Sequence, residues 1–250
     1  MSRRSDLIAL HADPLSSKIV EIGALDAPTF DPHGYDLTII DYTTKEGLIR
    51  DNPRNPRYTD KSLFHVDYAI ADSNYISIGR TYDIAIANHV IEHIPDVLGW
   101  LGSIRSILTT GAMLFLSVPD RRYTFDYLRS ETRFSTLFEA YAERQSKPRW
   151  NQIFDHFYYF RPINARMAWS GEGFEEALKA PRLSVAEAIA KANLLSAAPF
   201  VSVHCTVHTV DTFTDLLNLS IDAGLLEYNL ESIYGVERNS NEFNVILRAV

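Results

Sequence analysis

The chain has 250 residues, 46% of them hydrophobic, and its 24 Lys and Arg against 32 Asp and Glu give a net charge of -8. That length suits one α/β domain spanning 1–250 with a sizeable insertion. The acidic balance argues against the broad basic surface that duplex nucleic acid or an anionic membrane requires, so a small molecule or a glycan is the expected partner. No apolar run is long enough to insert in a membrane, and MSRRSDLIALHADP lacks the apolar core of a signal peptide. The single cysteine, Cys205, excludes an internal disulfide and fits a reducing, cytoplasmic setting.

Near the amino terminus, KIVEI (Lys18 to Ile22) ends at Gly23 and LTII (Leu37 to Ile40) ends at Asp41, and both read as short buried strands. The intervening GALDAPTFDPHGYD, with Pro28 and Pro32, reads as a loop rather than a long helix. A polar, proline-containing loop covers 51–62, and a weak strand is expected at Leu63 to Val66, before a turn at Asp67.

The stretch YDIAIANHVIEHIPDVLGWLGSIRSILTTGAMLFLSVPDRRYTFDYLR is the most informative. Ile84 to Ile86 and Met113 to Val118 are apolar runs of strands buried on both faces. Between them Val97, Trp100, Leu101, Ile104, Ile107 and Leu108 recur at helical spacing, with Pro95 in the first turn and Gly111 past the end. The unit is βαβ. In open α/β sheets ligands sit outside the carboxyl ends of the strands, which places Asn88, His89, Glu92, His93 and Asp120 to Tyr123 at a candidate site.

Helices follow at roughly 123–145, 149–160, 173–179 and 185–195, so 121–200 reads as a helical insertion or lid punctuated by prolines. Thr209 can cap a helix carrying Phe213, Leu216, Leu217 and Ile221, and LEYNLESIYGV and NEFNVILRA form two closing strands.

Several residues carry candidate chemistry. Asp41 lies about 20 residues beyond the first strand's turn, where a carboxylate meets the hydroxyls of an adenosine ribose. A loop with one glycine disfavours a dinucleotide, which needs three. The grouping Asn88, His89, Glu92, His93 is polar at a strand end, yet HVIEH is not the HEXXH pattern of a zinc helix, so a general base or a pocket wall is preferred and no metal is expected. Asp155 and His156 sit among Trp150, Phe154, Phe157, Tyr158, Tyr159 and Phe160, a set that suits either a ring-bearing acceptor or the core of the lid. Arg121 and Arg122 suit an anionic substrate group or a neighbouring carboxylate, and His204 can point into the cleft. Cys205 and His208 read as structural.

Taken together, KIVEIGALDAP, IIDY, YDIAIANHVIEHIPD through SVPDRRYTFD, FDHF and HCTVHTVDTF resemble the class I S-adenosylmethionine-dependent methyltransferases, and most of all a branch met in bacterial surface-polysaccharide biosynthesis. The resemblance implies a Rossmann-like α/β fold: a seven-stranded, mostly parallel sheet with helices on both faces. It places Glu21, Ile22, Gly23 and Ala24 along the methionine part of S-adenosylmethionine, Asp41 and Tyr42 at the ribose and adenine, Asp67 and Tyr68 at the adenine amine, and Asn88 and His89 beside the sulfonium. It implies O-methylation of a sugar hydroxyl, with His89 and His156 as candidate bases, Asp155 orienting the latter, and Arg121, Arg122, Tyr123 and His204 on the acceptor side. The usual GxGxG is GALDA here, and Thr206, His208 and Val210 replace an aromatic and a proline. Those departures motivate a rival, a binding or scaffold domain that has lost the cofactor.

Overall fold

Burial on both faces selects nearly uninterrupted apolar strands, and these order the sheet. A computed structural model describes residues 2–53, 55–198 and 200–250. The strands are β1 (Lys18–Ile22), β2 (Asp36–Asp41), β3 (Tyr68–Ala69), β4 (Tyr82–Asn88), β5 (Leu108–Pro119), β6 (Tyr228–Tyr234) and β7 (Glu242–Ala249). They form one seven-stranded sheet in the order β3-β2-β1-β4-β5-β7-β6. β7 runs antiparallel to β5 and β6, and the other pairings are parallel. The order reverses direction between β1 and β4, and there the carboxyl ends of both strands open a crevice.

Alternation divides the side chains between two cores. On one face Val20, Ile22, Ala85, Ala87, Leu114, Leu116, Val245 and Leu247 pack beneath α3 (Val97–Arg105) and α9 (Val210–Asp222). Asp96 caps α3 by accepting from the Gly99 N–H at 2.9 Å, and Thr209 caps α9. On the other face Ile19, Ile84, Ile86, Met113, Phe115 and Ile246 meet Leu7 and Ile8 of α1 (Arg3–His11) and Phe30 of the loop after β1. That loop is free of helix, in keeping with its prolines.

Between β5 and α9 lie α4 (Phe134–Ala142), α5 (Trp150–Tyr158), α6 (Ala165–Ser170), α7 (Phe174–Lys179) and α8 (Val185–Ser196); α2 (Lys45–Asp51) follows β2. The expected helix at 123–145 is instead a single 3-10 turn, Arg121–Tyr123, followed by α4 alone. The strand expected at Leu63 to Val66 forms later, at Tyr68–Ala69. Gly111 does not end a helix. It lies inside β5 with φ 81°, beside the irregularity where the pairing with β4 shifts register.

Candidate active site

Four strands carry one buried polar row beneath the crevice. Glu21 on β1 accepts from the Thr29 N–H and hydroxyl, both at 2.8 Å, and from the Asn88 amide at 2.9 Å. Asn88 on β4 accepts from the Ser117 hydroxyl at 2.8 Å, and Ser117 on β5 accepts from Asn244 of β7 at 2.8 Å. This row ties the loop after β1 to the centre of the sheet. Burial pushes the Glu21 carboxyl above its usual range, against the bonds from Thr29 and Asn88. The expectation that Glu21 faces the cofactor is corrected here: its oxygens are committed to Thr29 and Asn88, so it shapes the loop that a ligand would meet.

Gly23 adopts φ 69°, the left-handed region, and a Cβ built there would stand 2.9 Å from Val90 Cγ2. Backbone is therefore brought close to the end of β4, which only glycine allows without strain. Ile22 and Ala24 are buried on either side, so what this segment offers a ligand is main chain. Asp41 is buried at the end of β2, and burial raises its carboxyl to about 6. One of its oxygens accepts from the Tyr42 N–H at 2.7 Å; among the described residues the other has no partner. Tyr42 carries Phe200 stacked upon it, ring centres 4.3 Å apart.

Asp67 and Tyr68 lie elsewhere. Tyr68 pairs with Ile40, and Asp67 accepts from the Ile39 N–H at 2.7 Å, so both stand at the amino end of β3 rather than at its ligand-facing end. With β3 only two residues long, the end facing the crevice is Ile70 to Asp72. The assignment of Asp67 to the adenine amine is corrected for that reason.

The second half of the crevice is a cavity of about 280 Å³ outside β4 and β5, lined by His89, Glu92, His93, Tyr123, Phe125, Asn164, His204 and Asn241 among others. The turns after β4 and β5 are held by the downstream segment 203–208: the Cys205 N–H donates to the Glu92 carbonyl at 2.6 Å, and the Arg121 N–H donates to the His208 carbonyl at 2.9 Å. These main-chain bonds bring His204 to Glu92. The His204 Nδ1 bonds Asp126, whose other oxygen accepts from Arg129 at 3.0 Å. Its Nε2 then faces Glu92 Oε1 at 4.0 Å.

His89 sits in the left-handed region, φ 53°, and its Nε2 bonds Glu242 Oε2 at 2.6 Å. Burial works against its charged form, but Glu242 and Glu92 outweigh that and raise it to about 9. At neutral pH it therefore holds its proton and acts as a donor, not as a base. The Glu92 carboxyl is buried; burial pushes it up, and the contact with His89 together with the imidazoles of His93 and His204 lowers it below its usual range.

His156 does not line the cavity. Its Nδ1 accepts from the His204 N–H at 3.2 Å, and burial, followed by His204, lowers it to about 3. Its basic lone pair is thus already used, which argues against the base role. Asp155, its neighbour on α5, makes no side-chain bond to it: consecutive helical residues point about 100° apart. The carboxylate that orients a histidine is Asp126, and the histidine is His204. Arg121 is bound to Glu131 and to the Tyr127 carbonyl, and Arg122 to Asp120 at 2.7 and 2.9 Å, so both cations are engaged away from the cavity. Tyr123 does reach it, stacked on Trp169 with ring centres 4.7 Å apart. Asp126, Asn164 and Asn241 escaped sequence reasoning because no local pattern marks them. An acid buried near a downstream histidine becomes visible only once segment 203–208 is docked.

Sheet order, reversed carboxyl-terminal strand and strand-end site define a Rossmann-like α/β protein of the methyltransferase class. A family model described as a methyltransferase domain matches residues 5–181, and the chain belongs to that family. S-adenosylmethionine is the cofactor, and the close main-chain approach at Gly23 and the half-free carboxylate of Asp41 fit it. No curated protein matches the chain. Among solved structures, a Rhodobacter sphaeroides protein described as a Zn-dependent alcohol dehydrogenase is similar at 14% identity, covering 100% of this chain and 90% of its own, with a TM-score of 0.51, a likeness of fold alone. An S-adenosylmethionine-dependent methyltransferase from Mesorhizobium loti is similar at 15% identity over 97% and 96%, TM-score 0.46. The glycopeptide N-methyltransferase MtfA with S-adenosylhomocysteine is similar at 11% over 98% and 88%, TM-score 0.46.

Proposed function

We propose that this methyltransferase transfers its methyl group to a hydroxyl of a sugar or glycan intermediate, in the cytoplasm and as part of surface-polysaccharide synthesis. The observation that carries the reading is the cavity beyond β4 and β5, where Tyr123 offers a ring face and Asn164, Asn241 and His204 offer hydrogen-bonding groups. Rings beside amides and imidazoles suit a polyhydroxylated ring. We read 121–200 as the segment that covers this acceptor within a single domain.

S-adenosylmethionine supplies, when bound, an electrophilic methyl group. The protein's contribution is alignment and removal of the hydroxyl proton. Main chain at Gly23 and the Asp41 carboxylate would hold the methionine and ribose ends. His93 and His204, the two imidazoles beside Glu92 other than His89, take the proton, and ionised Glu92 favours its arrival. Protonated His89, fixed by Glu242, orients the acceptor oxygen as a donor.

The test is calorimetric titration with S-adenosylhomocysteine, followed by a tritiated-methyl assay against a panel of sugars, nucleotide sugars and small amines. Micromolar product binding with label on a sugar oxygen is the expected result. No binding at millimolar ligand supports the scaffold rival, and label on an amine overturns the O-methylation reading.

A further inference from the structure

Buried beside the acceptor cavity, Glu92 lacks the partners that a buried carboxylate requires. Its Oε2 is shielded from solvent and, among the described residues, makes no hydrogen bond. Around its Oε1 stand three imidazole nitrogens: His89 Nδ1 at 3.5 Å, His93 Nε2 at 4.0 Å and His204 Nε2 at 4.0 Å. The latter two are too far for hydrogen bonds. An ion pair left this open is costly in a buried position, and a polar cluster built only for stability would close it.

The outer nitrogens of the same rings are all occupied. His204 Nδ1 is held by Asp126, His93 Nδ1 by the Val203 carbonyl at 3.2 Å, and His89 Nε2 by Glu242. For His204 and His93 a carboxylate or a carbonyl on the far nitrogen fixes the tautomer with the lone pair facing inward, which is how metal-ligating histidines are set.

We infer that Glu92, His93 and His204 form a binding site for a divalent transition metal of the zinc class, with open coordination positions toward the acceptor cavity. Their ligand atoms all lie within 4.8 Å of one another. Donors around such an ion stand about 3.4 Å apart, so closing the set takes a movement of about 1 Å in side chains alone. Two imidazoles and a carboxylate make a donor set that leaves room for further oxygen ligands. His89 faces Glu92 from the other side and borders the open positions. The HVIEH segment supplies two ligands without the HEXXH pattern, because the third arrives on the far-downstream segment 203–208 docked against the Glu92 carbonyl. Cys205 is no part of the set: its thiol faces the His93 carbonyl at 3.4 Å. The site shares the cavity of the function proposed above; with an ion bound, His93 and His204 would serve as ligands in place of accepting the proton, and an acceptor oxygen completing the shell would be made more acidic by the ion, yet metal binding itself does not depend on methyl transfer.

The experiment strips the purified full chain with chelator and titrates it with cobalt(II) and, separately, zinc(II), reading cobalt ligand-field absorption and zinc calorimetry. One equivalent should bind, with the intense absorption of a four- or five-coordinate ion. His93→Ala, at a half-buried position, and Glu92→Gln should each weaken binding by about 100-fold or more while keeping the far-ultraviolet spectrum and S-adenosylhomocysteine affinity. Absence of binding in the wild type, or equal binding in both variants, overturns the site. A metal that binds as stated in a protein that methylates no hydroxyl would leave the site standing and sink the function alone.

Discussion

The two halves of the crevice use their polar groups in opposite ways. Beneath the loop after β1, Glu21, Thr29, Asn88, Ser117 and Asn244 bond one another in a row, and the ligand is offered main chain plus one carboxylate. After β4, Glu92, His93 and His204 point at each other across gaps too wide for hydrogen bonds. A half whose side chains bond one another, with the Asn244 Oδ1 alone of that row left open among the described residues, is a mould. One whose inner atoms remain unsatisfied invites a proton, a hydroxyl or an ion. The division suits a reaction in which the donor arrives already activated and the acceptor must be prepared.

Substitutions that touch one half should spare the other. The largest effect is expected from Asp126→Asn, because an amide at His204 Nδ1 no longer fixes the tautomer. Turnover with any acceptor that reacts should fall about 10²- to 10³-fold, while S-adenosylhomocysteine affinity stays unchanged. Loss of the negative charge opposite buried Arg129 should also lower stability by about 1–3 kcal/mol, readable in a thermal melt. Equal loss of cofactor affinity would show that the two halves are not separable.

Next comes Gly23→Val, in the mould. A branched side chain at φ 69° is strained, and its Cβ meets Val90 Cγ2. Affinity for S-adenosylhomocysteine should fall about 100-fold, and calorimetry checks it. Unaltered affinity would remove Gly23 from the cofactor site.

Asp41→Asn is smaller and runs in two directions. Burial raises the folded carboxyl from 3.8 to about 6, so the folded state holds the proton more tightly than the unfolded chain. The group's contribution is most favourable below pH 3.8, declines as pH rises from 3.8 to 6, and above 6 leaves a penalty of about 3 kcal/mol. The asparagine variant should therefore melt higher than wild type at pH 7.5, with the gap shrinking toward pH 4. It should still bind S-adenosylhomocysteine about 10-fold more weakly, because a charged acceptor for the ribose hydroxyls is gone. A lower melting point at pH 7.5 would contradict the burial argument.

How far the sequence reveals each half follows from the range of the contacts. β1, β2, β4 and β5 were legible because a strand buried on both faces is a contiguous apolar run, and α9 because Thr209 caps it visibly. α1, α2 and α6 were missed: each is nine residues or fewer and owes its helix to tertiary packing more than to pattern. The loop after β1 was legible from its prolines, and its start at Gly23 from the end of the apolar run. At the acceptor half, His89 and His204 were found one by one, but their grouping around Glu92 depends on main-chain bonds between Glu92 and Cys205 that no local spacing announces. Asp155 drew attention by standing next to a histidine in sequence, whereas Asp126 stands next to one in space.

The smallest expected effect sharpens this last contrast. In His156→Asn the side-chain oxygen can still accept from the His204 N–H, the one side-chain bond that His156 makes there. A ring lowered to about 3, with its basic nitrogen already bonded, takes up no proton near neutral pH. Turnover should change by less than about threefold, against the 10²- to 10³-fold expected of Asp126→Asn and the 10²- to 10⁴-fold typical of a lost general base. His156→Ala, which leaves that N–H unpaired, should cost more stability than the asparagine variant while altering turnover no more. A hundredfold loss of turnover in His156→Asn with an unchanged melt would return the base to α5, and the division between a satisfied mould and an open reactive half would then have to include the helical segment as well.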